Sequence, residues 1–262
     1  MSTFDLVWDQ TGERQYETGV NQCALFPMEN GNYSKGVAWS GVTAITESPS
    51  GAEPTDLYAD NIKFLSILSN EEFGATIEAY MYPDAFAECD GSASIAKGVS
   101  IGQQTRKKFG LVYKTILGND VDLNDHGYKL HFIYNALAAT SEKAYSSVND
   151  NPDAATFSWE ISTTPVNVAG YKPTATVTID STKVEPQKLA KLEEIIYGKA
   201  HELVSEEPSD WSTNYVKYFT KEGNEFKAVA AGVAPSFKEN TYYTANVEAR
   251  LPLPDEIATI MK

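Results

Sequence analysis

Sulfur, imidazole and positive charge are all scarce in this sequence. Its 262 residues include only two cysteines, Cys23 and Cys89. A chain this long does not need a disulfide scaffold, and a cytoplasmic setting favours two reduced, packed thiols over a bridge. Three histidines, His126, His131 and His201, leave little material for a metal centre. None forms a helical zinc pair, and His126 and His131 could join Cys23 or Cys89 only if the fold gathered them. Lys and Arg number 21 against 36 Asp and Glu, a net charge of −15. That balance excludes a protein that grips a phosphate backbone, because tight binding needs clustered cations to displace counterions. It suits solubility, and it equally suits a wall past which DNA slides without sticking.

Long apolar runs are missing as well. No stretch approaches the roughly 20 apolar residues of a membrane helix, so no membrane insertion is expected. The start, Met1-Ser2-Thr3-Phe4-Asp5, lacks the basic and apolar regions of a signal peptide, so synthesis and retention in the cytoplasm are expected.

Motifs for chemistry fail one by one. Gly31 to Gly36 has the glycine spacing of a phosphate-binding loop, but Val37-Ala38 stands where Lys and Ser or Thr are needed. Asp120, Asp122 and Asn124 match the first calcium-loop ligands. Asp125 then replaces the obligatory glycine and His131 the bidentate glutamate, so a polar turn is the better reading. Adjacent carboxylates such as Glu71-Glu72 are ordinary in so acidic a chain and do not mark glycosidase chemistry. There is no dinucleotide fingerprint and no nucleophile elbow. No enzyme, cofactor or metal is expected.

What is present is period-two alternation, the mark of half-buried strands. Ile77, Ala79 and Met81 share one face of the segment from Ala75 to Met81. Leu130 and Phe132 oppose Lys129 and His131, whose ring is expected on a strand face, partly exposed. Phe157, Trp159 and Ile161 align, as do Ala175, Val177 and Ile179, and Phe109 to Tyr113 reads as another strand. Gly118-Asn119, 124–127 and 149–152 supply turn chemistry. Many short strands with such punctuation predict a mainly β fold, a sandwich or barrel. One helix is expected over 186–198, with Pro186 at its first position, Leu189, Leu192, Ile195 and Ile196 on one stripe, and Gly198 at its end. A shorter helix is expected at 83–88. The stretch Thr46 to Asp60, with Pro49, Gly51 and Pro54, reads as a long exposed loop or irregular hairpin, a kind of segment usually kept for function.

An ordered series of strings then carries a family resemblance. Gly41-Val-Thr-Ala-Ile-Thr-Glu-Ser-Pro-Ser-Gly leads to Leu57-Tyr-Ala-Asp-Asn-Ile-Lys-Phe-Leu, Glu72-Phe-Gly-Ala-Thr-Ile-Glu-Ala-Tyr and Tyr82-Pro-Asp-Ala-Phe-Ala-Glu-Cys-Asp-Gly. Gly102-Gln-Gln-Thr-Arg-Lys-Lys-Phe-Gly-Leu, Asp125-His-Gly-Tyr-Lys-Leu-His, Phe157-Ser-Trp-Glu-Ile-Ser-Thr-Thr-Pro and Lys172-Pro-Thr-Ala follow. Together, over roughly 12–198 and the ending from Arg250, the series resembles the major tail (tail tube) proteins of siphophages.

The resemblance implies two packed antiparallel sheets with a flanking helix, in a tube domain over 1–204 that resumes at 249–262. Residues 205–248 depart from the pattern and read as an insertion or appended hairpin. It further implies a structural virion protein whose homohexameric rings stack into a tail tube. A tape-measure protein would occupy the lumen, tail-terminator and tail-tip proteins would meet the ends, and double-stranded DNA would pass through during ejection. The protein would be assembled in the host cytoplasm and reside in the virion tail. Subunit contacts are expected at an N-terminal arm, Phe4, Leu6 and Trp8, and along the loop at Ser48, Pro49, Ser50, Pro54, Leu57 and Tyr58. The same fold would serve the tube of a phage-derived contractile particle or bacteriocin. A virion carbohydrate- or receptor-binding β-sandwich using Tyr33, Trp39, Trp211 and Tyr215 is the other reading.

Overall fold

A computed structural model describes residues 6–145, 147, 154–200, 216–222, 225–228 and 241–262, with side chains described outside 199–247. In chain order the strands begin with β1 (Gln15–Glu29), β2 (Asn32–Tyr33), β3 (Val37–Ala38), β4 (Val42–Glu47), β5 (Ser50–Gly51), β6 (Pro54–Ala59), β7 (Ile62–Leu68), β8 (Glu71–Glu72) and β9 (Gly74–Ala79). They continue as β10 (Ala93–Ala96), β11 (Val99–Ile101), β12 (Phe109–Asn119), β13 (Leu123–Ala138), β14 (Phe157–Ser162) and β15 (Thr176–Asp180). Helix α1 (Pro186–Tyr197), β16 (Lys199–Ala200), β17 (Val216–Glu222), β18 (Glu225–Ala228), β19 (Thr241–Val247) and helix α2 (Pro254–Met261) complete the order.

Strand β13 organises the molecule. Its residues Lys129 to Ile133 pair with β15, whereas Leu137 and Ala138 pair with β14. One antiparallel sheet therefore turns a corner along β13. Strands β2, β3, β1, β12 and β15 lie on one side of the turn, and β14, β9 and β4 on the other. The two limbs face each other across a core of Leu25, Ile77, Phe109, Leu111, Ile133 and Trp159, all fully buried. The expected pair of packed sheets is thus one bent sheet, and it does not close into a barrel.

The opposite face of the first limb carries the helices. Val112, Leu130, Phe132 and Tyr134 alternate with the first core's residues and meet Leu189, Leu192 and Ile196 of α1 and Ile257 of α2. Burying each such side chain contributes about 1.5–3 kcal/mol. Helix α1 matches its expected stripe and stops at Gly198, whose φ of 75° suits a residue without Cβ. Helix α2 was not anticipated, although Pro254 at its start and Asp255 and Glu256 in its first turn are ordinary helix-start chemistry. The chain before α2 is tightly docked. Tyr134 donates to the carbonyl of Pro252 at 3.0 Å, the Arg250 amide donates to the Ile195 carbonyl, and Leu251 lies over Gly110.

Two further differences from expectation are local. Residues 83–88 hold a 3₁₀ turn, Asp84–Phe86, that places Phe86 in the core, rather than a full helix. Met81 lies beyond the end of β9 and is exposed, so the buried face of that strand is Ala75, Ile77 and Ala79. Within 205–248, strands β17, β18 and β19 form a small antiparallel sheet with β16, and 205–215, 223–224 and 229–240 lie outside the described residues.

Candidate assembly surface

The segment expected as a long exposed loop or irregular hairpin over 46–60 is the outgoing half of a β-hairpin arm. Thr46 and Glu47 finish β4, paired with β9. The Ser48 amide then bonds the Gly74 carbonyl, β5 pairs with β8, and β6 pairs with β7 from Pro54↔Leu68 to Ala59↔Ile62. Asp60 and Asn61 form the tip with φ of 52° and 62°, the left-handed pair of a two-residue hairpin turn. A dozen residues at about 3.3 Å each give the arm a reach of roughly 40 Å. At its root Gly51 has φ of 84° and packs against the Asn70 carbonyl, leaving no room for a Cβ.

Both faces of this arm are apolar. Tyr58, Phe64 and Leu68 are 71%, 71% and 69% exposed, and Leu57, Ile62, Leu65 and Ile67 are exposed too. Apart from Thr55, the polar side chains of β6 and β7 form one network, in which Asp56 accepts from Lys63 at 2.7 Å and from Ser66 at 2.6 Å. The lysine and serine hold the Asp56 carboxyl below its ordinary range. An isolated two-stranded hairpin is marginal in water, and an apolar patch of this kind marks an interaction surface.

Of the contact residues expected from sequence, Ser48 and Pro49 lie at the root, Ser50 in β5, and Pro54, Leu57 and Tyr58 in β6. Leu6 and Trp8 precede β1 and are exposed, with Val7 between them; Phe4 lies outside the described residues. Sequence reasoning missed the returning strand and the side chains of Ile62, Phe64, Leu65, Ile67 and Leu68. Their apolar run and the Asp60-Asn61 turn were available as signals. A second exposed hairpin, β10 with β11, presents Ile95, Val99 and Ile101.

The bent sheet also leaves strand edges open. Among the described residues, the first half of β1, Gln15 to Thr18, pairs with β12 alone, and β15 pairs with β13 alone. Unpaired edges of opposite ends of a sheet are templates for another chain.

A polar cluster fills the end of the sandwich where the arm begins. Glu17 of β1, Glu47 of β4, Tyr113 and Thr115 of β12, and Lys129 and His131 of β13 contribute to it. Tyr113 stacks on the His131 ring, centroids 4.7 Å apart, and donates to Glu47 Oε1 at 2.6 Å. Thr115 donates to Glu17 Oε1 at 2.6 Å, and Lys129 Nζ lies 2.5 Å from Glu17 Oε2. Burial pushes the His131 imidazole below its ordinary range despite the two glutamates, and pushes the Tyr113 hydroxyl upward together with its bond to Glu47. The His131 side chain is 13% exposed, more enclosed than its strand-face position suggests.

The other polar residues weighed in the sequence have structural placements. Asn119 Oδ1 accepts the amides of Val121 and Asp122, making the Asp120–Asn124 segment a capped turn between β12 and β13. His126 sits on that turn, 3.3 Å from Asp122. Gly31 occupies the β1–β2 turn. Cys23 and Cys89 are free and buried, each thiol pushed up to about 12, chiefly by burial. Tyr33 and Trp39 are engaged internally, through Asn135 and the Met81 carbonyl respectively, while Trp211 and Tyr215 lie outside the described residues. Among the described residues no cluster of three metal-ligating side chains occurs, and no helix is long and apolar enough to cross a membrane.

Comparison with known proteins returns particle components. One overlapping chain comes from the baseplate of the anti-feeding prophage, at TM-score 0.35 and 8% identity, over 68% of this chain and 100% of that one. Another comes from the sheath–tube complex of an extracellular contractile injection system, at TM-score 0.28 and 11% identity, over 61% of this chain and 88% of that one. No family model and no curated protein matches the sequence.

Proposed function

We propose that this chain is a non-catalytic structural subunit that polymerises into a phage-type tail tube, as stacked hexameric rings in a virion tail. The observation that carries the proposal is the arm. Its two apolar faces have no partner among the described residues of the subunit, and a second copy is the partner always present at the concentration of assembly. A head-to-tail contact between the open edge of β1 and the open edge of β15 closes a ring when its rotation closes, and an arm that leaves the ring's plane joins one ring to the next. A net charge of −15 fits a tube whose lumen first holds a tape-measure protein and later passes double-stranded DNA without gripping it. Terminator and tip proteins would cap the two open ends. The tube of a contractile particle would use the same contacts, with a sheath added outside.

Electron microscopy of the purified protein, with sedimentation velocity at rising concentration, tests the reading. Hollow tubes or ring stacks are expected. A subunit that stays monomeric at every concentration and salt would overturn it.

A further inference from the structure

The polar cluster lies at the junction of sheet and arm, and its hydrogen bonds assign the state of His131. Thr115 has a single hydroxyl proton, and it goes to Glu17 Oε1 at 2.6 Å. Toward His131 Nε2, 2.9 Å away, Thr115 can therefore only accept. The neutral ring thus carries its proton on Nε2. Nδ1 is left as a buried lone pair with no hydrogen-bond partner, 3.7 Å from Glu47 Oε1. Two acceptors face each other there, one on the rigid strand β13 and one on the last residue of β4, from which the arm departs.

We propose that His131 is a proton-operated latch that ties the root of the β6–β7 arm to the sheet. Taking up one proton converts Nδ1 from acceptor to donor, and a movement of under 1 Å brings it to hydrogen-bonding distance of Glu47 Oε1. The imidazolium then donates from Nδ1 to Glu47 on β4 in a charge-assisted bond, while Nε2 keeps its bond to Thr115 with the Glu17 carboxylate of β1 3.3 Å away as an ion-pair partner. The charged and titratable groups facing the ring are Glu17 from β1, Glu47 from β4, Tyr113 from β12 and Lys129 from β13 itself. The two carboxylates favour the charged ring and Lys129 opposes it. Tyr113 already holds Glu47 in place at 2.6 Å, so the acceptor is positioned before the proton arrives. Burial of the ring sets the latch to act below the ordinary imidazole range.

The consequence for assembly rests on the arm's proposed role as a contact between copies. An arm whose root is already fixed loses less freedom when it docks, so acid would lower the concentration needed for polymerisation.

The latch is tested on dispersed subunits, below the polymerising concentration. Amide exchange at 48–51 and 70–73 is measured at pH 5.5 and 7.5 and expressed as protection relative to the free peptide at each pH. Protection in the wild type is expected to rise by roughly tenfold or more on acidification, the size of one added charge-assisted hydrogen bond. Glu47→Ala, at an exposed side chain, is expected to keep the fold and abolish the rise, and to lower the midpoint of the His131 ring titration seen by NMR. His131→Gln should also abolish the rise. Root protection that ignores pH in the wild type, or that rises equally in Glu47→Ala, would overturn the latch. Because the subunit is dispersed, these results do not depend on tube formation. Arm-deleted protein that still forms tubes would sink the assembly reading alone.

Discussion

Trp159 donates its indole N–H to Asp90 Oδ1 at 3.1 Å, inside the core between the two limbs of the sheet. The same carboxylate takes Lys143 Nζ at 2.6 Å on its other oxygen, and that ammonium lies 5.1 Å from the centre of the Tyr82 ring. One buried acid thus joins the turn after Phe86, the strand β14 and the segment that follows β13. Burial alone would push the Lys143 ammonium downward, and Asp90, with Tyr82 adding to it, more than reverses it, leaving the group above its ordinary range. Asp90→Ala removes the acceptor of two donors. A lost buried partner costs about 3–5 kcal/mol, and partial exposure of Lys143 reduces that here to about 2–3 kcal/mol. Asp90→Asn can keep the indole bond and should cost about half as much. Urea unfolding followed by tryptophan fluorescence measures both. Equal stability of Asp90→Ala and wild type would show that the acid does not hold these elements together.

The arm makes the opposite prediction. Phe64→Ser and Leu68→Ser fall on side chains 71% and 69% exposed, so subunit stability should change by no more than about 0.5 kcal/mol. Association should collapse, because exposed apolar anchors supply most of the energy of a contact. Sedimentation velocity paired with thermal unfolding separates the two effects. Replacing 54–68 by a short turn should likewise leave a folded subunit that forms no tubes. Normal tubes from that variant would remove the arm from the assembly.

Gly110 tests the seat of the C-terminal segment. It is the second residue of β12, and a Cβ there would overlap Leu251 Cδ2 and press on the Tyr33 ring. Gly110→Ala should therefore destabilise by about 1–3 kcal/mol through overpacking. Pairing it with Leu251→Ala should recover part of that loss, since the smaller side chain vacates the overlap. A double-mutant cycle measures the coupling. Additive losses would mean that Leu251 does not rest on Gly110.

These relationships mark where sequence reasoning reached and where it stopped. Strands with one face on a core, β9 and β14, kept a clean alternation, as did 128–132 of β13, where Lys129 and His131 take the second face, so these and the stripe of α1 were legible. Strand β1 was not. Its first half is a solvated edge with register shifts around Asn21, and its second half, Cys23 to Phe26, is buried on both faces between the two layers. Neither half shows period two. The arm was half legible. Pro49, Gly51 and Pro54 announced an exposed element, but the return strand Ile62–Leu68 carries apolar residues on both faces and reads like a core strand until its exposure is seen. Asp90 and His131 were the least visible, because their partners lie far off in sequence and only the fold brings them together.

Acid should unfold the subunit in two steps. The His131 imidazole is held below its ordinary value of 6.5, so the folded state binds that proton less readily than the unfolded chain does. Stability from this group is complete above about 6.5 and is lost as pH falls through the lower folded value, with a slope of at most about 1.4 kcal/mol per pH unit. Glu17 and Asp180 are also depressed, from 4.5 and 3.8. Burial opposes both shifts. Lys129 and Thr115 overcome it for Glu17, and Thr182 and Lys183 for Asp180. Their contributions persist down to about 4.5 and 3.8 and fade below. Urea midpoints taken from pH 7.5 to 3.5 should decline first near 6.5 and again near 4.5. His131→Gln should erase only the first decline; a first decline that survives in that variant would assign the proton elsewhere. One proton at His131 thus weakens the whole fold slightly, through the cost of charging a buried ring, while adding a bond at the arm's root. Global unfolding and local protection of 48–51 should therefore move in opposite directions over the same pH interval, a signature that simple acid loosening of the subunit does not produce.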